Sequence, residues 1–256
     1  MIRFASLGSG SEGNGLLIQC EATCVLLDCG FSLAETEARL GRLGVLPQQL
    51  TALLVTHEHT DHIAGVARLA RRHRLPVHAS FGTLGALRDQ LAASQLHAIT
   101  SDIPFAIDAL AIEPFAVPHD AREPLQFVVG DGHLRLGVLT DVGCSTPHIE
   151  AMLKTCDALF LEANYDPHML QHGPYPPQLK ARVRGRFGHL SNEEAAALLS
   201  RLDHSRLQRV VAAHVSKKNN TPQLAQAALA RVLGCPAEEV VVADQGLGLD
   251  WLEVRA

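Results

Sequence analysis

The sequence is short of the features that mark several classes of protein. Its 256 residues include one Trp and two Tyr, and Asp, Glu, Lys and Arg together make up only 19%. So little charge beside 47% hydrophobic residues excludes an intrinsically disordered chain. No internal repeat, low-complexity tract or Ser/Pro/Gly linker interrupts it, which excludes collagen-like and solenoid architectures. Basic residues are not in excess. Lys and Arg number 22 against 27 Asp and Glu, for a formal charge of −5, which argues against binding nucleic acid by bulk positive charge. No stretch approaches the run of about 18 apolar residues that crosses a bilayer, and Met1–Gly8 has no signal-type apolar region. A cytoplasmic protein without a membrane partner is expected. CxxC pairs are missing too. Cys20, Cys24, Cys29, Cys144, Cys156 and Cys235 are scattered, so reduced thiols in packing roles are expected, with Cys20 and Cys24 flanking a hairpin turn.

Against these absences stand 14 histidines, the commonest metal-ligating residue type. Apolar alternation bounded by Gly and Asn predicts strands at Ile2–Ser6, Leu16–Cys20 and Cys24–Asp28, and helical spacing predicts a helix over Ser32–Leu43 stopped by Gly44. A buried strand is expected at Leu53–Thr56, a helix from about Ile63 to His73, and a strand at Val77–Ala79. Phe105 to Thr140 reads as strand-rich. The last third alternates helices (near Pro147–Lys154, Asn192–Leu202 and Leu224–Leu233) with strands (Ala158–Glu162, Arg209–Ala213 and Val240–Ala243). Strand-rich blocks interleaved with helices imply a layered α/β fold, helices covering packed sheets.

The most informative segment is Thr56-His57-Glu58-His59-Thr60-Asp61-His62, an HxHxDH pattern between an apolar strand and a helix. Residues two apart in an extended strand end point the same way, so His57 and His59 would face one side, while the following turn aims Asp61 and His62 elsewhere. Imidazoles on one side and a carboxylate plus an imidazole on the other suit two adjacent ions of Zn, Mn or Fe. The plainer alternative makes Asp61 the N-cap of the helix. Further ligands are available at strand ends: His119 in Val117-Pro118-His119-Asp120, Asp141 after Leu136–Thr140, and His214 after Val210–Ala213.

HxHxDH followed by one His, one Asp and one His resembles the metallo-β-lactamase-fold hydrolases, over essentially the whole chain. The resemblance implies an αββα sandwich, a four-layer α/β fold, as one domain over residues 1–256 with no inserted second domain. It implies one ion on His57, His59 and His119 and a second on Asp61, His62 and His214, with Asp141 bridging. Ala5–Asn14, Pro118-His119-Asp120-Ala121, Glu162–Asp166, Gly188-His189-Leu190-Ser191-Asn192 and His214–Asn220 are similar to the WalJ/YycJ-type branch, which is associated with 5′-to-3′ exonuclease activity on DNA and related to tRNA 3′-processing endonucleases. Val215 stands where Leu is common and Tyr165 where His is common; neither is a ligand position. The 73 positions between Asp141 and His214 are too few for the extra domain that larger relatives insert there.

These motifs predict a metal-dependent phosphodiesterase with DNA as substrate, in which a hydroxide between the two ions attacks phosphorus. Asp61 would take part through its ion. His189, held by Glu162, would protonate the leaving alkoxide or stabilise the oxyanion. A His placed before an N-cap Ser191 is the plainer reading of His189, and Ser191–Glu194 has the form of a capping box, so both can hold. Candidate substrate contacts are Ser9 and Asn14 in the Gly8–Asn14 loop, Lys180 and Arg182 in the basic run Lys180–Arg186, and Lys217 and Asn220 after His214. Ser216, Asn219 and Asn220 are also candidates for ordering that last loop, and the basic run could equally be a solvated helix face. His168 and His172 are candidates for the cleft rim. A small-molecule hydrolase acting on a cyclic phosphodiester, thioester or lactone is the alternative within the fold. His59 argues against a di-iron redox module, and the retained ligands against an inactive binding module.

Overall fold

The computed structural model describes residues 1–256. It consists of two seven-stranded mixed sheets packed face to face, with helices on both outer surfaces. The first sheet contains β1 (Ile2–Gly8), β2 (Gly15–Cys20), β3 (Thr23–Leu27), β4 (Ala52–Leu54), β5 (Val77–Ser80) and β6 (Leu96–Ile99). The second contains β7 (Phe105–Ile107), β8 (Leu110–Ala116), β9 (Leu125–Gly130), β10 (Arg135–Leu139), β11 (Ala158–Glu162), β12 (Arg209–Ala213) and β13 (Val241–Val242). The last strand, β14 (Leu249–Val254), returns to the first sheet and pairs antiparallel with β1, Ile2 opposite Val254. Strand order is β14-β1-β2-β3-β4-β5-β6 in one sheet and β13-β12-β11-β10-β9-β8-β7 in the other.

Both sheets follow the same plan although the sequence carries no repeat. Antiparallel hairpins come first (β1–β2–β3 and β7–β8–β9–β10), then parallel strands joined by crossover helices. Parallel neighbours require such crossovers, and helices on the outside leave the strands apolar on both faces. The period-2 alternation resolves which face is which. Phe4, Leu16, Ile18, Val25 and Leu27 point between the sheets onto Phe127, Leu136, Val138 and Phe160. Leu17, Leu26 and Leu53 point outward to the helices α1 (Leu33–Arg42) and α3 (Val66–His73). On the other side Leu139, Leu159 and Leu161 meet α5 (Pro147–Leu153), α8 (Asn192–Leu199) and α9 (Pro222–Leu233). Three cores separate four layers, the expected sandwich.

Local signals set most helix ends. Ser32 Oγ accepts from Glu35 N–H at the start of α1, and Gly44 takes a positive φ of 71° beyond its end. Ser191 and Glu194 form the capping box that opens α8. The region after HxHxDH departs from expectation. A short helix α2 (Thr60–Ile63) begins three residues early, with His59 rather than Asp61 at its N-cap, and Ala64–Gly65 separates it from α3. Gly65 is required there, because a Cβ would lie 2.1 Å from Phe31 O and 2.7 Å from Cys29 Sγ. Strand Leu53–Thr56 is shorter than expected: regular pairing ends at Leu54, and residues 55–59 lead out of the sheet. Not foreseen were β6, β14, and the helices α4 (Phe81–Leu84) and α6 (Pro167–His172); α7 (Pro177–Val183) takes in the first part of the basic run, in line with the helix-face reading of that run. All six cysteines are free thiols, with Cys20 and Cys24 buried on either side of the β2–β3 turn. No helix is long and apolar enough to cross a membrane.

Candidate metal centre

The carboxyl ends of β4, β8, β10, β11 and β12 open on one edge of the sandwich, the place where α/β sheets usually collect ligands. His57 and His59 follow β4, and Asp61 and His62 sit in the first turn of α2. His119 lies beyond β8, Asp141 beyond β10, Glu162 at the end of β11 and His214 directly after β12. His189 comes from the turn between α7 and α8. Asp28, Asp141 and His214 all have left-handed backbone, with φ of 61°, 53° and 51°. A non-glycine residue there costs energy, and such strain gathers at sites where a side chain must be aimed. In each case the strand turns sharply: Asp141 and His214 are delivered to the ligand cluster, and Asp28 to the back of His62.

Six imidazoles converge. Ring centroids of His57 lie 4.5 Å from His59, 4.2 Å from His62 and 4.9 Å from His119, and those of His189 and His214 are 5.4 Å apart. Ligand-type atoms of His57, His59 and His119 fall within 4.8 Å of one another, as do those of Asp61, His62 and His214. Asp141 stands between these groups: one carboxylate oxygen is 3.1 Å from His62 Nε2 and the other 3.5 Å from His214 Nε2. Within this buried cluster His57 Nε2, His214 Nε2 and Asp141 Oδ2 make no properly directed hydrogen bond. Buried polar atoms are almost always partnered, so three unpartnered ones distributed over the two adjoining ligand groups are what a pair of cation sites would require. The donor set of nitrogen and carboxylate oxygen fits borderline divalent ions.

Each ring is fixed from behind. His62 Nδ1–H donates to Asp28 Oδ2 at 2.8 Å, and Asp28 also accepts from Thr56 N–H at 2.9 Å. His119 Nδ1–H donates to Gly188 O at 3.0 Å. Asn164 Nδ2–H donates to His214 O at 2.8 Å, and the same amide packs 3.0 Å from His214 Nδ1. Such outer contacts set tautomer and orientation. Electrostatics divides the rings. Burial, reinforced by neighbouring His62, holds His57 well below its ordinary pKa, and burial lowers His119. At His62 and His214 burial works the same way but is outweighed by carboxylates: Asp141 and Asp28 raise His62, and Asp141, Asp61 and Glu162 carry His214 up to about 10. Burial likewise opposes ionisation of Asp141 and Glu162, yet the facing imidazoles hold both carboxyls below their usual range.

Beside the cluster, His189 Nδ1–H donates to Glu162 Oε1 at 2.8 Å. Glu162 Oε2 accepts from Val142 N–H at 3.0 Å and Leu190 N–H at 3.1 Å, so this fully buried carboxylate is completely engaged. Burial alone would lower the pKa of His189; Glu162 overrides it and raises it. The ring's Nε2 is left for the cleft, a space of about 230 Å³ that His59, Asp61, Asp141, His189 and His214 all border.

Several expected substrate contacts have other duties. Ser9 Oγ accepts His214 N–H at 2.8 Å, which makes Ser9 a positioning residue. Asn14 is buried, exchanging hydrogen bonds with Gly10 and donating toward Asp61 O and His62 Nε2. The Gly8–Asn14 loop spends its amides internally: Ser9 on Asp244 O, Gly10 on Asn14 Oδ1, Glu12 on Gln245 Oε1, Asn14 on Asp61 O. Asn220 is buried and ties Ala163 O to Asn192, ordering the loop. Lys180 Nζ donates to Gln171 O away from the cleft, and Lys217 pairs with Glu12 at 2.6 Å on an exposed surface. Arg182 alone of the six borders the cleft, bonded to Asp120 Oδ2 at 2.6 Å. His168 and His172 lie against each other on α6, their rings tilted by 36° with centroids 4.2 Å apart, and do not border the cleft; Tyr175 and Leu179 do. Sequence reasoning missed Asp28, Thr56 and Asn164. The signal for Asp28 was available, since it closes an apolar strand as Asp141 does.

Residues 23–215 match the family described as "Beta-lactamase superfamily domain". The chain is 32% identical over 240 residues to the exodeoxyribonuclease YycJ of Bacillus anthracis, covering 91% of this chain and 89% of that protein. It is 30% identical over 254 residues to the exodeoxyribonuclease WalJ of Streptococcus pneumoniae serotype 2, covering 97% and 92%. Among solved structures it is similar to the metallo-beta-lactamase fold protein YhfI of Bacillus subtilis, with TM-score 0.77 and 17% identity over 99% of this chain and 100% of that one.

Proposed function

The chain belongs to the beta-lactamase superfamily, and on that premise we propose that it is a dinuclear metal-dependent phosphodiesterase, a 5′-to-3′ exonuclease on DNA. The names of its YycJ and WalJ relatives support the substrate and the resemblance supports the direction; the observation that carries the chemistry is the Glu162–His189 pair beside the ring cluster. One divalent ion (Zn, Mn or Fe) would be held by His57, His59 and His119, a second by Asp61, His62 and His214, with Asp141 shared. Bound there, such ions supply Lewis acidity: they lower the pKa of water and neutralise charge gathering on phosphoryl oxygens.

The chain's own residues supply the rest. A sugar alkoxide is a poor leaving group and requires a proton. His189, whose pKa is raised by the facing Glu162 carboxylate, borders the cleft and is the group that delivers that proton. Glu162 itself is a positioning residue, sealed from the cleft and pinned by two backbone amides. A small-molecule hydrolase remains the second reading, favoured by one observation, the modest volume of the cleft.

The test compares release of nucleotides from 5′-labelled DNA, single- and double-stranded, with RNA, bis(p-nitrophenyl) phosphate, a thioester and a lactone, in Mn²⁺ and in Zn²⁺. Stepwise release from DNA is expected, with two ions per chain by elemental analysis, and Asp61→Ala retaining one. No release from DNA alongside rapid thioester or lactone hydrolysis would replace the proposal with the second reading.

A further inference from the structure

Among the imidazoles, carboxylates and small polar groups that border the cleft stands a single Lys or Arg side chain, Arg182. It comes from α7, whose Leu179, Arg182 and Val183 face the cleft. Lys180 and Arg184 lie on another face of that helix and line a separate hollow of about 410 Å³. Packing fixes α7 on both sides of Arg182. Val183 is buried with Tyr165 and Leu170, Leu179 packs on the same small cluster, and Val183 O accepts His189 N–H at 2.8 Å. The guanidinium is held as well. Arg182 Nε–H donates to Asp120 Oδ2 at 2.6 Å, and Asp120 N–H donates to Phe187 O at 3.1 Å. The other carboxylate oxygen of Asp120 lies 3.5 Å from His119 Nε2, and Asp120 O is 3.2 Å from His59 Nε2. One carboxylate therefore stands between the guanidinium and two rings of the cluster. Nη1 and Nη2 of Arg182 have no partner within the protein. An ion pair whose arginine side chain is 61% exposed contributes little to stability, so holding the fold together does not account for the arrangement.

We propose that Arg182, oriented by Asp120, binds the phosphate next to the scissile one, so that the cleft selects a polynucleotide over a small phosphodiester. This rests on the nuclease reading and names what the same site recognises beyond the bond it cuts. With Nε engaged by Asp120, the Nη1–Nη2 edge of the guanidinium stays open, and two parallel N–H donors match two non-bridging oxygens of a phosphate. The scissile group belongs among the proposed ligands of the ions. Asp120 holds the guanidinium a carboxylate's width outside them, where the next phosphate of a chain passes. A diester with one phosphate, such as bis(p-nitrophenyl) phosphate, gains nothing from this contact. The contact reads charge and not sequence, and single strands and duplexes both offer it. Asp120 acts through Arg182 and is a positioning residue.

The test uses the full chain loaded with metal and oligothymidylates in which one linkage is a neutral methylphosphonate, placed in turn at each of the three linkages beyond the scissile one. Arg182→Ala is expected to raise KM for unmodified oligothymidylate by about 10- to 150-fold, the range of a hydrogen bond to a charged group, with kcat changed far less. The salt dependence of binding should fall by about one phosphate contact. Arg182→Lys keeps the charge without the paired donors and should fall between Arg182→Ala and the parent. At one linkage the methylphosphonate should raise KM for the parent but add nothing in Arg182→Ala. Asp120→Ala should likewise add nothing to Arg182→Ala, with both ions retained by elemental analysis. Parental KM in Arg182→Ala, equal losses on oligothymidylate and bis(p-nitrophenyl) phosphate, or additive effects at every linkage would overturn the proposal. A further loss in the double variant with both ions in place would overturn the role of Asp120. If the parent protein degrades no DNA at all, the function reading fails on its own, and the same linkage scan, read as affinity by fluorescence anisotropy, still decides whether Arg182 holds a phosphate.

Discussion

Replacing Glu162 by Gln separates proton delivery from metal binding. The carboxylate has two sides. Oε2 faces two backbone N–H donors, Val142 and Leu190, and Oε1 faces His189 Nδ1. A glutamine can satisfy the two amides only by placing its carbonyl oxygen there, and its NH₂ must then point at His189 Nδ1. That imposes the opposite tautomer: Nδ1 accepts, Nε2 keeps a hydrogen, and the ring is neutral. A hydrogen bond to a charged partner is worth about 1.5–3 kcal/mol net, so the charged ring loses about 10- to 150-fold in population from this contact alone. A neutral imidazole is also a far weaker acid. The combined expectation is a fall in kcat on DNA of about 10²- to 10⁴-fold, the range of general acid catalysis. Bis(p-nitrophenyl) phosphate expels a stabilised phenolate that needs no proton, so its turnover should fall much less. Elemental analysis must accompany the kinetics, because Glu162 Oε1 also lies 3.4 Å from His214 Nδ1. Equal losses on the two substrates, with both ions retained, would refute the assignment of His189 as proton donor.

Asp28→Asn removes the charge behind His62 and leaves one acceptor oxygen for both Thr56 N–H and His62 Nδ1–H, and should weaken metal retention about 10- to 100-fold, measured by competition with a chromophoric chelator; unchanged retention would show that Asp28 serves only the backbone turn. Gly30→Ala would place a Cβ 1.8 Å from Asp61 O, and a loss of about 3 kcal/mol or more is expected by urea unfolding. A variant as stable as the parent would contradict the close packing of Gly30 on α2. His78 gives a pH prediction. Burial, then the stacked His97, lowers its pKa from 6.5 to about 4. The folded state thus binds fewer protons than the unfolded state between those values, so this stability is complete above pH 6.5 and is lost as pH falls towards 4. Urea titrations across that window should show a shallower decline in His78→Gln than in the parent; parallel curves would remove His78 from the account.

How much was legible depended on how locally each feature is encoded. HxHxDH concentrates four side chains in six positions, and each strand-end His or Asp follows a clear apolar run, so the cluster could be assembled from sequence alone. The break between α2 and α3 is not encoded locally, because Gly65 and Cys29 reach each other only through the tertiary fold: Gly65 N–H donates to Cys29 O at 2.8 Å. The six substrate contacts were proposed from proximity in sequence. Proximity cannot distinguish a polar side chain that faces solvent from one that is spent inward, as Ser9 is on His214 and Asn220 on Ala163 and Asn192. The strand β14 escaped notice for a related reason. Its residues are only partly apolar on an edge, and its partner β1 lies at the far end of the chain.

The matched plans of the two sheets have a thermodynamic consequence. Each proposed ion joins side chains from both halves of the sandwich: His57 and His59 from the first sheet with His119 from the second, and Asp61 and His62 with His214. Metal binding would then act as a pair of reversible rivets across the seam between the sheets. Because the unfolded chain cannot offer these sets, the free energy of binding is added to the free energy of keeping the halves together. The seam with its ions removed should therefore be the first part of the molecule to open, so that hydrogen exchange would quicken at the strand ends flanking it before the outer helices loosen.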